Sequence, residues 1–495
     1  MIWRLVGMTE RQSHGFGARG GDQSFMKKSM QKANMQKATI HMSVRPRVAR
    51  RVGGLGGCLA ALLCVSASAE AVQAPQTSPS DFVSQWVAQQ GLSAEQTSIW
   101  VGARDASGQP LQHQPHLGLV PASTIKLMTA WLALRHWSAD KRFVTDVFLL
   151  PESDGVSLGV KGYGDPFMVS ESLQALAQQL ALRLRQKGLT QVNALRLDDG
   201  FFQVSVAQVP GLTQTSNPYD ALPGALSANF NTFWVKKQGQ AWVSAEPQTP
   251  LTPLIATLAQ DSLTAAEGQA PRVNLGQQRA RSTRYWGELL QAFLQAEGIE
   301  VARVILRSKA QTSTETKHQA WSQQPWYRFR NPVSLETQVK AMLRYSTNLI
   351  AHQLVLKLSA EAFGPPATMA KVRRYLTRQG QRLFQDAPFT LVGGAGLSRQ
   401  NRLSAAQLGQ LLQQWQPWRG QWLPELAPGV WAKTGTLHGV RSLAGYVCVS
   451  DCDQPVPFAV IMNQSVAPAL RLQFAQALKR YLAQSSIDLE QFVGL

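Results

Sequence analysis

Three short motifs fall in order along the chain: Ser123-Thr124-Ile125-Lys126, Ser346-Thr347-Asn348 and Lys433-Thr434-Gly435-Thr436. Together they supply a nucleophile, proton carriers and a carboxylate anchor with no histidine or metal. A serine hydroxyl attacks a carbonyl only when a neighbouring base takes its proton. Lys126, three residues after Ser123, reaches that hydroxyl if both lie on one helix, and burial beside a second cation such as Lys433 lowers a lysine pKa toward the range of a base. Ser346 is placed to relay a proton to a leaving amine, and Asn348 to hold both the substrate amide and Lys126. The charge of Lys433 and the hydroxyls of Thr434 and Thr436 suit a terminal carboxylate, and the backbone N–H of Ser123 at a helix N-terminus suits an oxyanion, with that of Thr436 as the second donor by analogy. The substrate this implies is an acyl-peptide with a free carboxyl end.

Each motif has decoys. Ser24-Phe25-Met26-Lys27 and Ser29-Met30-Gln31-Lys32 repeat the first spacing, and Ser227-Ala228-Asn229 repeats the second. Context separates them. Ile125, Met128, Leu132 and Leu134 are spaced for a buried helix over Thr124–Trp137, which places Ser123 at its start and Lys126 one turn on. The leader decoys lie in a polar segment with no such pattern. Leu335–Arg344 and Leu349–Leu358 read as helices flanking Ser346-Thr347-Asn348. Val430–Thr436, Gly439–Val449 and Val456–Gln464 read as strands followed by a helix over Pro468–Ala483, so Lys433-Thr434-Gly435 falls on a strand edge, where an extended peptide can pair.

The elements between are of another kind. Thr97–Ala103 and the residues from Leu111 read as a hairpin. From about Phe143 to Thr312, short strands (Val156–Val160, Leu195–Leu197, Trp242–Pro247, Val301–Leu306) alternate with helices (Leu173–Gln186, Thr283–Glu297). The domain reading is therefore a leader over 1–69, a first core part over 75–150, inserted α/β subdomains over 151–312, and a second core part over 313–495.

The leader accounts for part of the charge. The chain carries 49 Lys/Arg against 30 Asp/Glu, a net +19. Residues 1–69 hold 11 and 2 of these, leaving 38 against 28, or +10. Arg45, Arg47, Arg50 and Arg51 precede the apolar stretch Leu55 to Val65, and Ala67-Ser68-Ala69 follows as a cleavage signal. This is the order of a secretory leader beginning at Met42, with Glu70 near the mature N-terminus and Ala69-Glu70-Ala71 as a competing cleavage signal. The stretch is too short to span a bilayer, and no other is long enough; loose association with the cell envelope fits the positive charge. Export points to a periplasmic protein in which Cys448 and Cys452 close a small disulfide. No metal ligand set, cofactor motif or nucleic-acid recognition module is evident, and no G-x-S-x-G nucleophile elbow occurs.

With the trio, the segments Gly162-Tyr163-Gly164-Asp165-Pro166, Leu197-Asp198-Asp199-Gly200-Phe201-Phe202, Pro218–Asn231 and Gly396-Leu397-Ser398-Arg399-Gln400-Asn401-Arg402 make the chain resemble the D-alanyl-D-alanine carboxypeptidase/endopeptidase family, the class C low-molecular-mass penicillin-binding proteins. Ser123 and Ser346 are 223 residues apart, a spacing that fits that class and not the compact β-lactamases. The resemblance implies an α/β (α+β) penicillin-binding core, an antiparallel sheet flanked by helices plus a helical subdomain, carrying a large α/β insertion. It also implies action on peptidoglycan stem peptides, β-lactams as covalent inhibitors, and Asp198 and Arg399 as groups holding the charged end of the substrate side chain. One departure stands out: the family usually has Asp-Gly-Ser-Gly where this chain has Gly393-Gly394-Ala395-Gly396. A non-catalytic peptidoglycan-binding scaffold and a β-lactamase-like hydrolase on the same fold are the alternatives.

Overall fold

A computed structural model describes residues 82–484 apart from 264–267, 277, 308–323, 386, 416–419, 450–451 and 453. The leader, its expected cleavage site and the decoys Ser24 and Ser29 lie outside the described residues. None of the helices among the described residues is long and apolar enough to cross a membrane.

The core is a six-stranded antiparallel sheet in the order Glu425–Ala427, Val430–Leu437, Val440–Val447, Val456–Met462, Thr97–Arg104, Pro110–His113. Val456–Met462 reads as an almost unbroken apolar run, because helices cover both faces of the sheet. On one face Trp86 of the helix Phe82–Gln89 meets Phe474 of the helix Leu470–Gln484 edge-on, with ring centroids 4.9 Å apart. On the other, Ala459 and Ile461 join one apolar cluster with the helices Lys126–His136, Asn348–Phe363, Met369–Phe384 and Ala405–Gln414. Lys126 through Leu134 are all buried, so that helix runs through the interior rather than over it.

The insertion has its own core. Its main sheet runs Val304–Leu306, Leu195–Asp198, Gly155–Gly162, Arg142–Glu152, Tyr327–Ser334, with the first three strands parallel and the last two antiparallel. The helix Ser170–Arg185 makes the crossover between parallel strands, as such a pair requires. It packs with Arg279–Ala296 over the sheet, beside a small sheet built from Thr232–Gln238, Ala241–Ser244 and Arg272–Asn274. The fold is thus the expected mixture of antiparallel core, helices and inserted α/β part. The insertion is wider than 151–312, however. Residue 151 falls inside the first strand of a hairpin, and the closing strand Tyr327–Ser334 lies wholly beyond 312, handing the chain to the helix Leu335–Tyr345 where the Ser334 hydroxyl accepts from the Thr337 N–H.

Candidate active site

Ser123 sits on a single 3-10 turn, Ala122–Ile125, that runs directly into the helix Lys126–His136. Side chains at i and i+3 eclipse in a 3-10 turn, which sets Ser123 and Lys126 side by side. The turn is pinned from three directions. The Pro121 carbonyl accepts from the Thr124 hydroxyl at 2.7 Å and from Ser442 on the neighbouring strand at 2.7 Å. Gly435 backs onto it so closely that a Cβ there would stand 2.7 Å from the Pro121 carbonyl oxygen and 3.1 Å from the Ala122 Cβ. Gly396, at φ +83°, packs against Ala122 and Ser123, where a Cβ would meet the Ser123 nitrogen at 2.9 Å. Ala122 itself adopts a left-handed φ of 48°, a conformation held only where the surroundings over-determine it.

The Lys126 side chain is fully buried. Its Nζ lies 3.0 Å from Ser123 Oγ and donates to Asn348 Oδ1 at 2.8 Å and to the Ala395 carbonyl. Asn348 Nδ2 in turn donates to the Tyr219 carbonyl at 3.0 Å, which fixes the amide orientation and ties the Pro218–Asn231 segment to the site. Ser346 caps the helix Leu335–Tyr345 in the left-handed conformation (φ 57°), breaking the chain between two helices. Lys433, also buried, donates to the Ser346 hydroxyl at 3.0 Å and to the Thr434 carbonyl at 2.8 Å. The three motifs therefore meet as one network, although 310 residues separate Ser123 from Lys433.

Strand register orients the last motif. Glu425–Ala427 pairs only with Val430 and Trp431, and the Ala432 N–H donates outward to the Pro424 carbonyl. Backbone groups alternate along an antiparallel strand, so the N–H groups of Thr434 and Thr436 point to the same outer side, along which no further strand pairs among the described residues. Arg399 donates to the His438 carbonyl in the turn that ends this strand. Asp198 is differently placed: its carboxylate pairs with Arg307 at 3.0 Å and accepts from the Gly200 N–H at 2.8 Å, on the insertion's sheet. The decoy Ser227 is buried, donating to the Gly224 carbonyl and accepting from Gln353 and Asn231, and Asn229 bonds Ser170. Cys448 and Cys452 are joined as a disulfide.

Two neighbours are absent from the motif reading. His352, one turn beyond Asn348 on the same helix, is buried with neither ring nitrogen hydrogen-bonded. Burial, with the Lys126 charge behind it, pushes its pKa down to about 3. The spacing i, i+4 from Asn348 is the one sequence signal for it. Arg471 reaches the Gly435 carbonyl and Thr436 Oγ1 from the helix Leu470–Gln484, and no local pattern marks it.

An antiparallel sheet with a serine–lysine pair at one end and a large insertion defines a penicillin-binding protein of the penicillin-recognising fold. The chain belongs to the D-Ala-D-Ala carboxypeptidase 3 (S13) family, which its residues 80–428 match, and is accordingly a serine peptidase of the D-alanyl-D-alanine carboxypeptidase type. It is 25% identical to a D-alanyl-D-alanine carboxypeptidase of Actinomadura sp. (strain R39), over 73% of this chain and 76% of that one. Its fold is similar to that of penicillin binding protein 4 from Haemophilus influenzae (TM-score 0.59, 20% identity, 81% of this chain and 99% of that one) and to the same protein complexed with a β-lactam (TM-score 0.56, 21% identity, same coverage).

Proposed function

We propose that the protein is a periplasmic, penicillin-sensitive carboxypeptidase and endopeptidase that cuts D-alanyl bonds in peptidoglycan stem peptides through an acyl-enzyme on Ser123. The observation that carries this reading is the hydrogen bonding of Lys126. Asn348 Oδ1 and the Ala395 carbonyl, both acceptors, hold Nζ 3.0 Å from Ser123 Oγ, within reach of the serine proton once the amine has given up its own extra proton.

In the acylation step the Ser123 proton passes to Lys126 Nζ as Oγ bonds to the penultimate D-Ala carbonyl carbon. The oxygen that becomes negative is held by the backbone N–H groups of Ser123 and Thr436. The C–N bond then breaks and the leaving amine takes the proton that Lys126 accepted, relayed through Ser346, which Lys433 orients, so that Lys126 is again a free base. Water attacks the ester in the second half, with Lys126 again taking the proton, and Ser123 regains its hydrogen. Lys433, Thr434 and Thr436 face the terminal carboxylate. A β-lactam follows the first half, its opened ring staying attached to Ser123.

The test is labelling with a fluorescent penicillin, then digestion of purified peptidoglycan. A stable adduct, released D-Ala and cleaved cross-links are expected, with Lys126→Ala slowing acylation by at least about a hundredfold, as loss of a positioned general base does. Rapid turnover of the penicillin would instead make the protein a β-lactamase, and absence of an adduct would make it a scaffold.

A further inference from the structure

Three arginines from three separate elements converge where the strand Val430–Leu437 ends. Arg471, in the first turn of the helix Leu470–Gln484, donates through Nη1 to the Gly435 carbonyl and at 2.7 Å to Thr436 Oγ1. Arg441, on the neighbouring strand directly opposite Thr436, donates to the carbonyls of Leu437 and Val440 at 2.8 and 2.9 Å, and its Nε is buried without a partner. Arg399 reaches the His438 carbonyl from a third segment.

This grouping is unfavourable by itself. A cation in the first turn of a helix opposes the helix dipole. Burial, and then the like charge of Arg441, hold the Arg471 guanidinium down to about 10. Among the described residues, neither Arg441 nor Arg471 has a carboxylate at ion-pairing distance. Half-buried like charges are relieved when an anion completes the set.

We infer that Arg471 is the positioning residue for recognition of the substrate's terminal carboxylate, acting through the Thr436 hydroxyl. Thr436 is exposed on the same strand as Lys433. Because Arg471 donates to Thr436 Oγ1, the hydroxyl proton cannot point back at the guanidinium. It is turned toward the open side of the strand, ready for a carboxylate oxygen. The charges of Arg471 and Arg441 lie behind that bond and favour the ionised acid over a neutral ester or amide. The inference deepens the proposed function and rests on it.

The experiment measures acylation of full-length wild type, Arg471→Ala and Arg471→Lys by benzylpenicillin and by its methyl ester, which lacks the carboxylate charge. With benzylpenicillin, Arg471→Ala is expected to lower the second-order acylation rate about 10- to 100-fold, the usual value of a hydrogen bond made to a charged group. With the ester, wild type and variant should agree within about twofold, and Arg471→Lys should recover part of the discrimination. An equal loss with both compounds marks a structural role and overturns the inference, as does no loss with either. If Arg471→Ala does not fold, by thermal unfolding, the comparison of wild type with Arg471→Lys and Arg471→Gln gives the same decision. A wild-type protein that penicillin never labels at Ser123 would refute the proposed function instead, so the two failures are distinct.

Discussion

His352 is buried beside the site with its protonation suppressed, and it gives the protein a specific acid sensitivity. In the unfolded chain its imidazole takes a proton near pH 6.5; in the fold that protonation waits until about 3. Between those values the unfolded state binds the extra proton, so stability falls as pH drops through the window and is insensitive to this group above it. Replacing it with an apolar residue, His352→Leu, should flatten that loss. Urea unfolding at pH 7, 5 and 4 would show a shallower decline for the variant than for wild type; parallel declines would contradict the assignment. The sequence displays His352 one turn from Asn348, yet a lone histidine on an apolar helix usually fills space, and its closeness to Lys126 follows only from the packing of two helices whose Lys126 and Asn348 are 222 positions apart in the chain.

At the scale of elements, the loop Gly393-Gly394-Ala395-Gly396 explains how the departure from the family pattern is accommodated. Gly394 and Gly396 occupy the positions with no room: a Cβ on Gly394 would meet Thr129 Oγ1 at 2.5 Å and Val355 Cγ1 at 2.6 Å, and Gly396 abuts the Ser123 turn at positive φ. A Cβ on Gly393 meets nothing within 4 Å. What differs from the family pattern is therefore the side chains at 393 and 395, while the Ala395 carbonyl still holds Lys126. Gly396→Ala should displace Ser123, costing more than about 1 kcal/mol of stability and at least about a tenfold loss of acylation rate. Gly393→Ala should leave both nearly unchanged. Denaturant midpoints and penicillin-labelling rates on the pair decide it, and equal behaviour of the two would contradict the account.

The same scale shows what was legible. The buried helix after Ser123, the break at Ser346 and the strands around Lys433 announce themselves by local periodicity. The helices Met369–Phe384 and Ala405–Gln414 do not, because each carries a glycine that reads as a helix breaker. Those glycines answer to packing instead: a Cβ on Gly409 would stand 2.3 Å from the Trp100 ring, and one on Gly380 2.5 Å from Phe389. The insertion's first strand, Arg142–Glu152, is masked by Pro151 near its end. The resemblance marks Asp198, but its ion pair with Arg307 could not be read from the sequence, because no motif names that arginine.

At the scale of the whole molecule, the proposed periplasmic function predicts export with loss of residues 1–69. The arginine cluster, apolar run and Ala67-Ser68-Ala69 order predict a mature N-terminus at or within a few residues of Glu70. N-terminal sequencing of the exported protein checks this, and recovery of protein still carrying residues 1–41 would contradict it. Cleavage there would leave a net charge of +10, which suits an anionic polymer or surface as partner. The central claim, that Ser123 is the nucleophile served by Lys126, is tested most directly by mass spectrometry of the penicillin adduct in wild type and in Ser123→Ala. The account predicts one adduct mapped to Ser123 in wild type, none in the variant, and unfolding transitions that match. A Ser123→Ala protein that still forms an adduct at another serine would contradict it.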